Sequence, residues 1–271
     1  EPKAMVKLKN YNVVTKLFVL LLTFAAFTSC AEKKFYVTRI EGKEIGITQP
    51  AETANATAGQ SAQQIENFIK PYRDNIDKDL SMVLANAPET IDKSGEWQTP
   101  MGNFLSDITF EKSNIVFKQR EHKSIDICLL NHGGIRTIIS KGDVTARNAY
   151  EIMPFENSAI VVGLKGEEIL EMAKYIISEK KPHPLKGLTF TIGKDNQPKD
   201  ILVNGQPLEN AKNYYVVTSD YLVNGGDNMI FFKKATERYD LEYKLRNIII
   251  DYFKANKVIK AEKDQRISKE L

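Results

Sequence analysis

The chain has 271 residues, of which 42% are hydrophobic and 27% charged, and its formal net charge is +3. Residues 1–29 have the pattern of a removable signal and hold four of the 38 basic residues and one of the 35 acidic residues. The rest of the chain therefore carries no formal net charge, and this balance gives no support to a nucleic-acid partner.

The N-terminal segment, residues 1–29, is predicted to be a lipoprotein signal peptide. Four lysines precede the apolar run Leu17–Phe27, which is too short and wrongly flanked for a stable membrane span. The run ends in Thr28-Ser29-Cys30, and small residues directly before a cysteine resemble the cleavage box of bacterial lipoproteins. We therefore predict a lipid on Cys30 and a protein anchored in the cell envelope, facing the periplasm or the outside. An ordinary signal peptide with an incidental cysteine is the alternative.

The next stretch, residues 30–60, is predicted to contain short strands and a linker. Residues 35–47 alternate between apolar and polar side chains, and residues 48–64 are rich in Ala, Thr, Gln and Gly without an apolar period. From residue 61 to 87 the apolar period becomes helical, and we predict that its stripe faces the core. The stripe consists of Ile65, Phe68, Ile69, Tyr72, Ile76, Leu80, Val83 and Leu84.

The remaining pattern predicts one domain over residues 61–258 and a charged tail over residues 259–271. Strands and helices that follow each other without strict βαβ alternation favour an α+β fold, with a mixed sheet between helical layers. Helices are predicted after Asn103, at Glu167–Ser178 and at Leu241–Phe253, and strands at Ile127–Leu130, Ala159–Leu164, Leu188–Ile192, Ile201–Val203 and Tyr214–Thr218.

Three short segments stand out because glycines, aromatics and charges follow strand-like runs. Asn131–Arg136 reads NHGGIR, in which the paired glycines permit close backbone approach and the guanidinium can bind an oxyanion. Pro154–Asn157 reads PFEN and places an aromatic ring in a rigid turn. Asp220–Asp227 reads DYLVNGGD and again ends in Gly-Gly beside a charged residue.

In this order, the three segments resemble the C-terminal domain of the 5'-nucleotidase / UDP-sugar hydrolase family, over roughly residues 65–255. In that family the C-terminal domain binds the nucleotide, and a separate N-terminal domain carries the metal ions and performs the hydrolysis. The resemblance implies that Phe155 and Tyr221 hold the base between their rings, each contributing ~1–3 kcal/mol. It also implies that Asp227 accepts hydrogen bonds from both vicinal ribose hydroxyls.

Four further residues belong to the implied substrate-binding site. Arg136 would neutralise a phosphate or hold the ribose, and Asn131 and Asn157 would bond the base or the sugar. Gly134 is a requirement of shape rather than a contact. Each of the residues singled out also has a plain structural interpretation, as a core aromatic, a surface ion pair, a loop cap or a turn residue.

One region departs from the family pattern. The segment Glu96–Asn103 often reads E-x-x-x-G-N in the family, with a substrate-holding arginine shortly before it. Here Gln98 takes the place of the glutamate, and residues 94–96 contain no arginine. This departure weakens the expectation of full nucleotide affinity.

No catalytic or metal-binding residues are predicted in this chain, and no cofactor. Its histidines, His122, His132 and His183, lie at spacings that match no dimetal phosphatase motif. With Cys30 lipidated, Cys128 is the one cysteine left, so neither a disulfide framework nor a cysteine-based metal site is expected. Cys128 is predicted to be a small buried hydrophobic residue.

Three functional interpretations remain open. In the first, the chain is the nucleotide-binding half of a split 5'-nucleotidase, and a separately encoded metallophosphatase supplies the divalent metals. In the second, it is a lipoprotein that binds a nucleotide or nucleoside without catalysis. In the third, it is a scaffold domain that has kept the fold and lost the ligand.

Overall fold

The computed structural model describes residues 51–262 and 264–270, with side chains from residue 62 onward. The predicted signal peptide, Cys30 and the alternating stretch 35–47 lie outside the described residues. Within the described ranges, no helix is both long enough and apolar enough to cross a membrane. Residues 62–271 form one compact unit.

The helices are α1 (Ala51–Leu80), α2 (Pro100–Glu121), α3 (Ala146–Ile152), α4 (Gly166–Glu179), α5 (Asp220–Val223) and α6 (Leu245–Ala255). The strands are β1 (Val83–Ala87), β2 (Ile127–Leu129), β3 (Gly142–Thr145), β4 (Ser158–Lys165), β5 (Leu185–Lys186), β6 (Leu188–Ile192), β7 (Pro198–Val203), β8 (Gln206–Pro207), β9 (Asn213–Ser219), β10 (Glu237–Lys244) and β11 (Ile267–Lys269). Short 3-10 turns occupy His132–Gly134, Gly226–Asn228 and Ile230–Lys234.

A five-stranded mixed sheet organises the domain, in the order β10-β4-β9-β2-β5. β2 and β9 are parallel, whereas the other neighbours are antiparallel. Successive residues of β4 enter different cores: Val161 packs with one group of buried side chains and Ile160 and Val162 with another. Both faces of the sheet are therefore covered, which confirms the predicted α+β fold.

One face of the sheet carries α2 and α6. Thr99 caps α2, because its side chain accepts a hydrogen bond from the Gly102 N–H at 2.9 Å, and Pro100 begins the helix. This confirms the helix predicted around Asn103. The last helix begins at Leu245 rather than at the predicted Leu241, because Glu237–Lys244 pairs with β4 as the edge strand β10.

The other face carries α4 and a second sheet, in the order β11-β6-β7-β8. Its strand β11 is parallel to β6 and lies inside the segment predicted to be a charged tail. That prediction was wrong, since Ile259, Arg266 and Ile267 are all buried. The buried side chains of Ile259 and Ile267, and the hydrogen bonds of Arg266 to Asp107 and Asp264, fix this segment in place.

The structure also corrects both predictions for the first helix. Residues 51–60 are helical instead of forming a linker, in keeping with the high helix propensity of their alanines. The apolar stripe of α1 does not face the core, since Ile65, Phe68, Tyr72 and Ile76 are each between 58% and 71% exposed. The helix ends at Leu80, so the last part of the predicted stripe belongs to β1.

Candidate functional site

Two of the three sequence motifs meet because the strands before them are parallel neighbours. β2 leads into Asn131 and the 3-10 turn His132–Gly134, and β9 leads into α5 and the turn Gly226–Asn228. In the sheet, Ile127 is paired with Val216 in parallel register. The carboxyl ends of both strands therefore lie at one edge, which is where open α/β sheets commonly bind ligands.

The third motif reaches the same edge from the opposite direction. β4 is antiparallel to β9, and Ala159 at its start is paired with Ser219 at the end of β9. The PFEN segment, which directly precedes β4, consequently joins the two glycine-containing segments. Sheet topology thus brings together three stretches that are far apart in the sequence.

The three segments form a cavity of about 320 Å³, a volume within the usual range of small-molecule sites. Its lining consists of Asn131, Gly133, Gly134, Phe155, Asn157, Tyr221 and Asp227. Phe155 and Tyr221 are 43% and 45% exposed, which leaves two large rings available to a ligand. Of the predicted substrate-binding residues, only Arg136 is outside this lining; it is exposed, and its guanidinium donates to the Gly133 carbonyl at 3.3 Å.

The Asp227 carboxylate lies between two hydrogen-bond donors. Asn131 Nδ2 donates to Oδ2 at 2.8 Å, and the Tyr221 hydroxyl donates to Oδ1 at 2.9 Å. The hydrogen bond to Asp227 raises the pKa of Tyr221. Since each carboxylate oxygen has two acceptor positions, both oxygens can still accept a further hydrogen bond from a ligand.

Glycine is required beside Tyr221. A Cβ on Gly226 would lie 2.4 Å from Tyr221 Cε1, so the ring occupies the space that any other residue would fill. The Tyr221 hydroxyl also accepts a hydrogen bond from the Asp227 N–H at 3.3 Å. Backbone and hydroxyl together fix the orientation of this ring.

The turn that carries Phe155 is held by the start of α6. Arg246 is buried; it donates to the Pro154 carbonyl at 3.2 Å and forms an ion pair with Glu156. Lys244 donates to the Glu156 carbonyl at 2.7 Å. Neither cation was predicted from the sequence. Their position at a helix N-terminus, where the helix dipole disfavours positive charge, is a signal that they bind a partner outside the helix.

Gln98, which replaces the glutamate of the family pattern, does not line the cavity. Gln98 Nε2 donates to the Asp264 carbonyl at 2.7 Å, and Gln98 Oε1 accepts from the Arg266 N–H at 2.7 Å and the Ile267 N–H at 3.2 Å. The amide is thus used as donor and acceptor by the chain's own C-terminal segment. A glutamate could accept from the two N–H groups but could not donate to the Asp264 carbonyl.

Within residues 51–262 and 264–270, no three or more His, Cys, Asp or Glu side chains are grouped so that they could hold a metal ion. Cys128 is fully buried, which confirms its prediction as a small hydrophobic residue, and burial raises the pKa of its thiol.

Comparison with known sequences identifies the family. The sequence model described as 5'-nucleotidase, C-terminal domain, matches residues 83–234, which is more than half of the chain. The chain belongs to this family. Protein UshA of Escherichia coli is 24% identical over 173 residues, which are 61% of this chain and 30% of that relative. The trifunctional nucleotide phosphoesterase YfkN of Bacillus subtilis is 28% identical over 203 residues, 70% of this chain and 13% of that relative.

Solved structures agree with this assignment. The 5'-nucleotidase precursor of Thermus thermophilus superposes with a TM-score of 0.65 at 25% identity, covering 75% of this chain and 42% of that one. The NAD nucleotidase of Haemophilus influenzae shares the fold, with a TM-score of 0.60 at 15% identity over 77% of this chain and 42% of that one. The chain therefore spans less than half the length of each of these relatives.

Proposed function

We propose that the chain is the nucleotide-binding half of a split 5'-nucleotidase. It holds a nucleotide while a separately encoded dimetal phosphatase hydrolyses the phosphate ester. The observation that carries the proposal is the convergence of Phe155, Tyr221 and Asp227, from two distant segments, on one cavity.

In the proposed complex the base lies between Phe155 and Tyr221, and Asp227 holds the ribose. Two exposed rings in one cavity suit any base, because every base has a π-face. Both Asp227 oxygens retain capacity for a hydrogen bond, which matches the two vicinal hydroxyls of a ribose. The amides of Asn131 and Asn157 supply donors and acceptors at the edge of the cavity.

Arg136 is assigned to the phosphate. It lies immediately beyond the Gly133–Gly134 lining and is exposed, so its guanidinium is accessible to an anion. Because the fork of an arginine matches the geometry of phosphate oxygens, one residue at the rim is enough to orient the group.

Hydrolysis is assigned to a partner chain that carries the divalent metals. Dimetal phosphoester hydrolysis needs several His, Asp and Asn ligands around the ions, and the described residues contain no such cluster. Relatives named as 5'-nucleotidases support the reaction class, and each is more than twice as long as the segment it shares with this chain.

Calorimetric titration of the full chain with AMP, adenosine and UDP-glucose, without metal, tests the binding step. We expect binding that is lost in the Phe155→Ala, Tyr221→Ala double variant and retained in Tyr221→Phe, which keeps the ring. Phe68→Ala is the control, since it removes an exposed ring outside the cavity. A folded wild-type protein that binds none of the three ligands contradicts the proposal.

A nucleotide-binding protein without catalysis is the second candidate. It is favoured by the fact that the residues of this chain alone form the cavity. Phosphate release from AMP, measured with each phosphatase encoded beside the gene, separates the two. Phosphate release that requires this chain and falls in the Asp227→Asn variant supports the split enzyme. Phosphate release that is the same with and without this chain supports the second candidate.

We further propose that a lipid on Cys30 anchors the protein in the cell envelope. The expected result is incorporation of labelled palmitate into the wild type but not into Cys30→Ala, with the Cys128→Ala variant as the control. Equal labelling of the wild type and Cys30→Ala contradicts the anchor.

A further inference from the structure

Two aromatic side chains adjoin the Asp227 cavity without lining it. Tyr175 belongs to α4, and His183 lies in the segment between α4 and β5. His183 is only 3% exposed, and its ring is 5.7 Å from that of Tyr175 between centroids. Neither residue belongs to the three sequence motifs.

Each of these side chains contacts one of the two glycine-containing segments. The His132 N–H, at the start of the 3-10 turn, donates to His183 Nδ1 at 3.2 Å. The Tyr175 hydroxyl donates to the Asp227 carbonyl at 2.6 Å. The two rings therefore link the backbone beside Asn131 to the backbone of Asp227.

We propose that His183 and Tyr175 are positioning residues that hold Asn131 and Asp227 in the geometry needed to bind a ribose. This inference rests on the proposed nucleotide-binding function. Asn131 and Asp227 are 96 residues apart, and their side chains meet at 2.8 Å. Such a contact is reproducible only when both backbones are fixed, since short 3-10 turns have weak internal hydrogen bonds.

His183 can act in this way only as the neutral Nε2–H tautomer. Its Nδ1 must be free to accept from the His132 N–H, so the proton resides on Nε2. Burial, with a smaller effect of His132, lowers the pKa of His183 to about 4, which keeps the ring neutral at ordinary pH. Nε2 is buried and lacks a hydrogen-bond partner within the described part of the chain, so the acceptor at Nδ1 is the polar contact that this ring makes.

A pair of substitutions at one position tests the acceptor. His183→Leu removes it, whereas His183→Asn places an amide oxygen close to the position of Nδ1. We expect AMP affinity to fall about tenfold in His183→Leu, as for the loss of one hydrogen bond, and to recover to within about threefold of the wild type in His183→Asn. His122→Asn, an exposed histidine at the end of α2, is the matched control.

Two nuclear magnetic resonance readouts separate positioning from general packing. Long-range nitrogen–proton spectra should show His183 as the Nε2–H tautomer. Exchange of the His132 amide should be slow in the wild type and in His183→Asn, and fast in His183→Leu. An Nδ1–H tautomer, or equal loss of affinity in both variants, overturns the proposal.

The result also separates this inference from the proposed function. A folded His183→Leu protein that binds AMP like the wild type overturns the positioning role and leaves the nucleotide site standing. A wild-type protein without affinity for AMP or adenosine overturns the proposed function, and the positioning role falls with it.

If His183→Leu does not fold, Tyr175→Phe provides the test, because it removes only the hydroxyl that donates to Asp227. We expect AMP affinity to fall about threefold to tenfold. Tyr243→Phe is the control, since it removes a hydroxyl that donates to Asp251 at 2.7 Å, outside the cavity. Equal affinity in Tyr175→Phe and Tyr243→Phe overturns the proposal.

Discussion

Two polar clusters of the molecule use their hydrogen-bonding groups to different extents. The C-terminal cluster surrounds Arg266, which is 3% exposed. Its guanidinium donates to both Asp107 oxygens at 2.8 Å, to both Asp264 oxygens at 3.0 and 3.1 Å, and to Ser106 Oγ at 2.9 Å. Together with the contacts of Gln98, these bonds satisfy the cluster from within the chain.

The cavity cluster around Asp227 is open by comparison. Asn131 and Tyr221 each use one acceptor position of the carboxylate, and the rings beside it are nearly half exposed. Both clusters join distant parts of the sequence, but the cavity cluster combines free acceptor positions on a carboxylate with two exposed aromatic rings. We infer that the C-terminal cluster serves stability and that the cavity cluster serves binding.

The largest expected effect follows from removing the centre of the C-terminal cluster. Arg266→Met leaves the Asp107 and Asp264 carboxylates without their cation, and breaking a buried ion pair from one side costs about 3–5 kcal/mol. Because both carboxylates are partly exposed, we expect a loss near the lower end of that range. Urea unfolding measures this loss, with Arg238→Met on the exposed face of β10 as the control. A loss below about 1 kcal/mol would contradict the assignment of this cluster to stability.

The second effect is a pH dependence that comes from His183. Its pKa is about 4 in the folded chain and about 6.5 when unfolded, so between these values the unfolded state binds more protons. The contribution of neutral His183 to the free energy of unfolding is therefore complete above pH 6.5 and is lost as the pH falls toward 4. At about 1.4 kcal/mol per pKa unit, the loss amounts to up to about 3 kcal/mol. Unfolding free energies of the wild type and His183→Asn, compared across this range, should show the steeper decline in the wild type. Parallel pH dependences of the two proteins would contradict a lowered pKa of His183.

Substitutions in the cavity cluster should change the affinity for AMP rather than the free energy of unfolding. Asp227→Asn keeps a side chain that tolerates the left-handed backbone at φ 52° but replaces one acceptor oxygen. Hydrogen bonds to a charged group contribute about 1.5–3 kcal/mol, and AMP affinity should fall by this amount. We expect the free energy of unfolding to change by less than about 1 kcal/mol. A dideoxynucleotide, which lacks both hydroxyls, serves as the control and should bind the two proteins equally.

Gln98→Glu is a milder test of the C-terminal cluster than Arg266→Met. The variant keeps the acceptor for the Arg266 and Ile267 N–H groups but loses the donor to the Asp264 carbonyl. The Asp264 carbonyl still accepts a hydrogen bond from Asn103 Nδ2 at 3.2 Å, so the cost is that of one lost hydrogen bond, about 0.5–1.5 kcal/mol. Thermal unfolding should shift to a lower temperature while AMP binding is unchanged. A weaker affinity without loss of stability would show that this position belongs to the substrate site after all.

The local motifs were sufficient to predict much of the cavity. Asn131, Phe155, Tyr221 and Asp227 belong to short segments that directly follow or precede apolar strands, and the sheet topology brings these segments together. The buried strands β4, β6 and β9 were equally clear, because their apolar runs have no competing interpretation.

The supporting residues could not be predicted in the same way. Arg246, His183 and Gln98 act through partners 90, 51 and 166 residues away, and no local pattern encodes such distances. β11 is short and lies among charged residues, so its composition indicated a tail. Its order comes from the buried network around Arg266, a tertiary effect.

The smallest effect is expected from substitutions in the apolar stripe on α1, which has a helical period but is not buried. Phe68 is 71% exposed, whereas Phe104 on α2 is buried among the core residues. Phe68→Ser should change the free energy of unfolding by no more than about 0.5 kcal/mol, as for most surface substitutions. Phe104→Ala should cost about 3–5 kcal/mol, because it leaves a cavity in the core. Urea unfolding of both variants under the same conditions measures the difference. A loss above about 2 kcal/mol in Phe68→Ser would mean that a folded contact covers this stripe, and the helical period would then have indicated burial correctly.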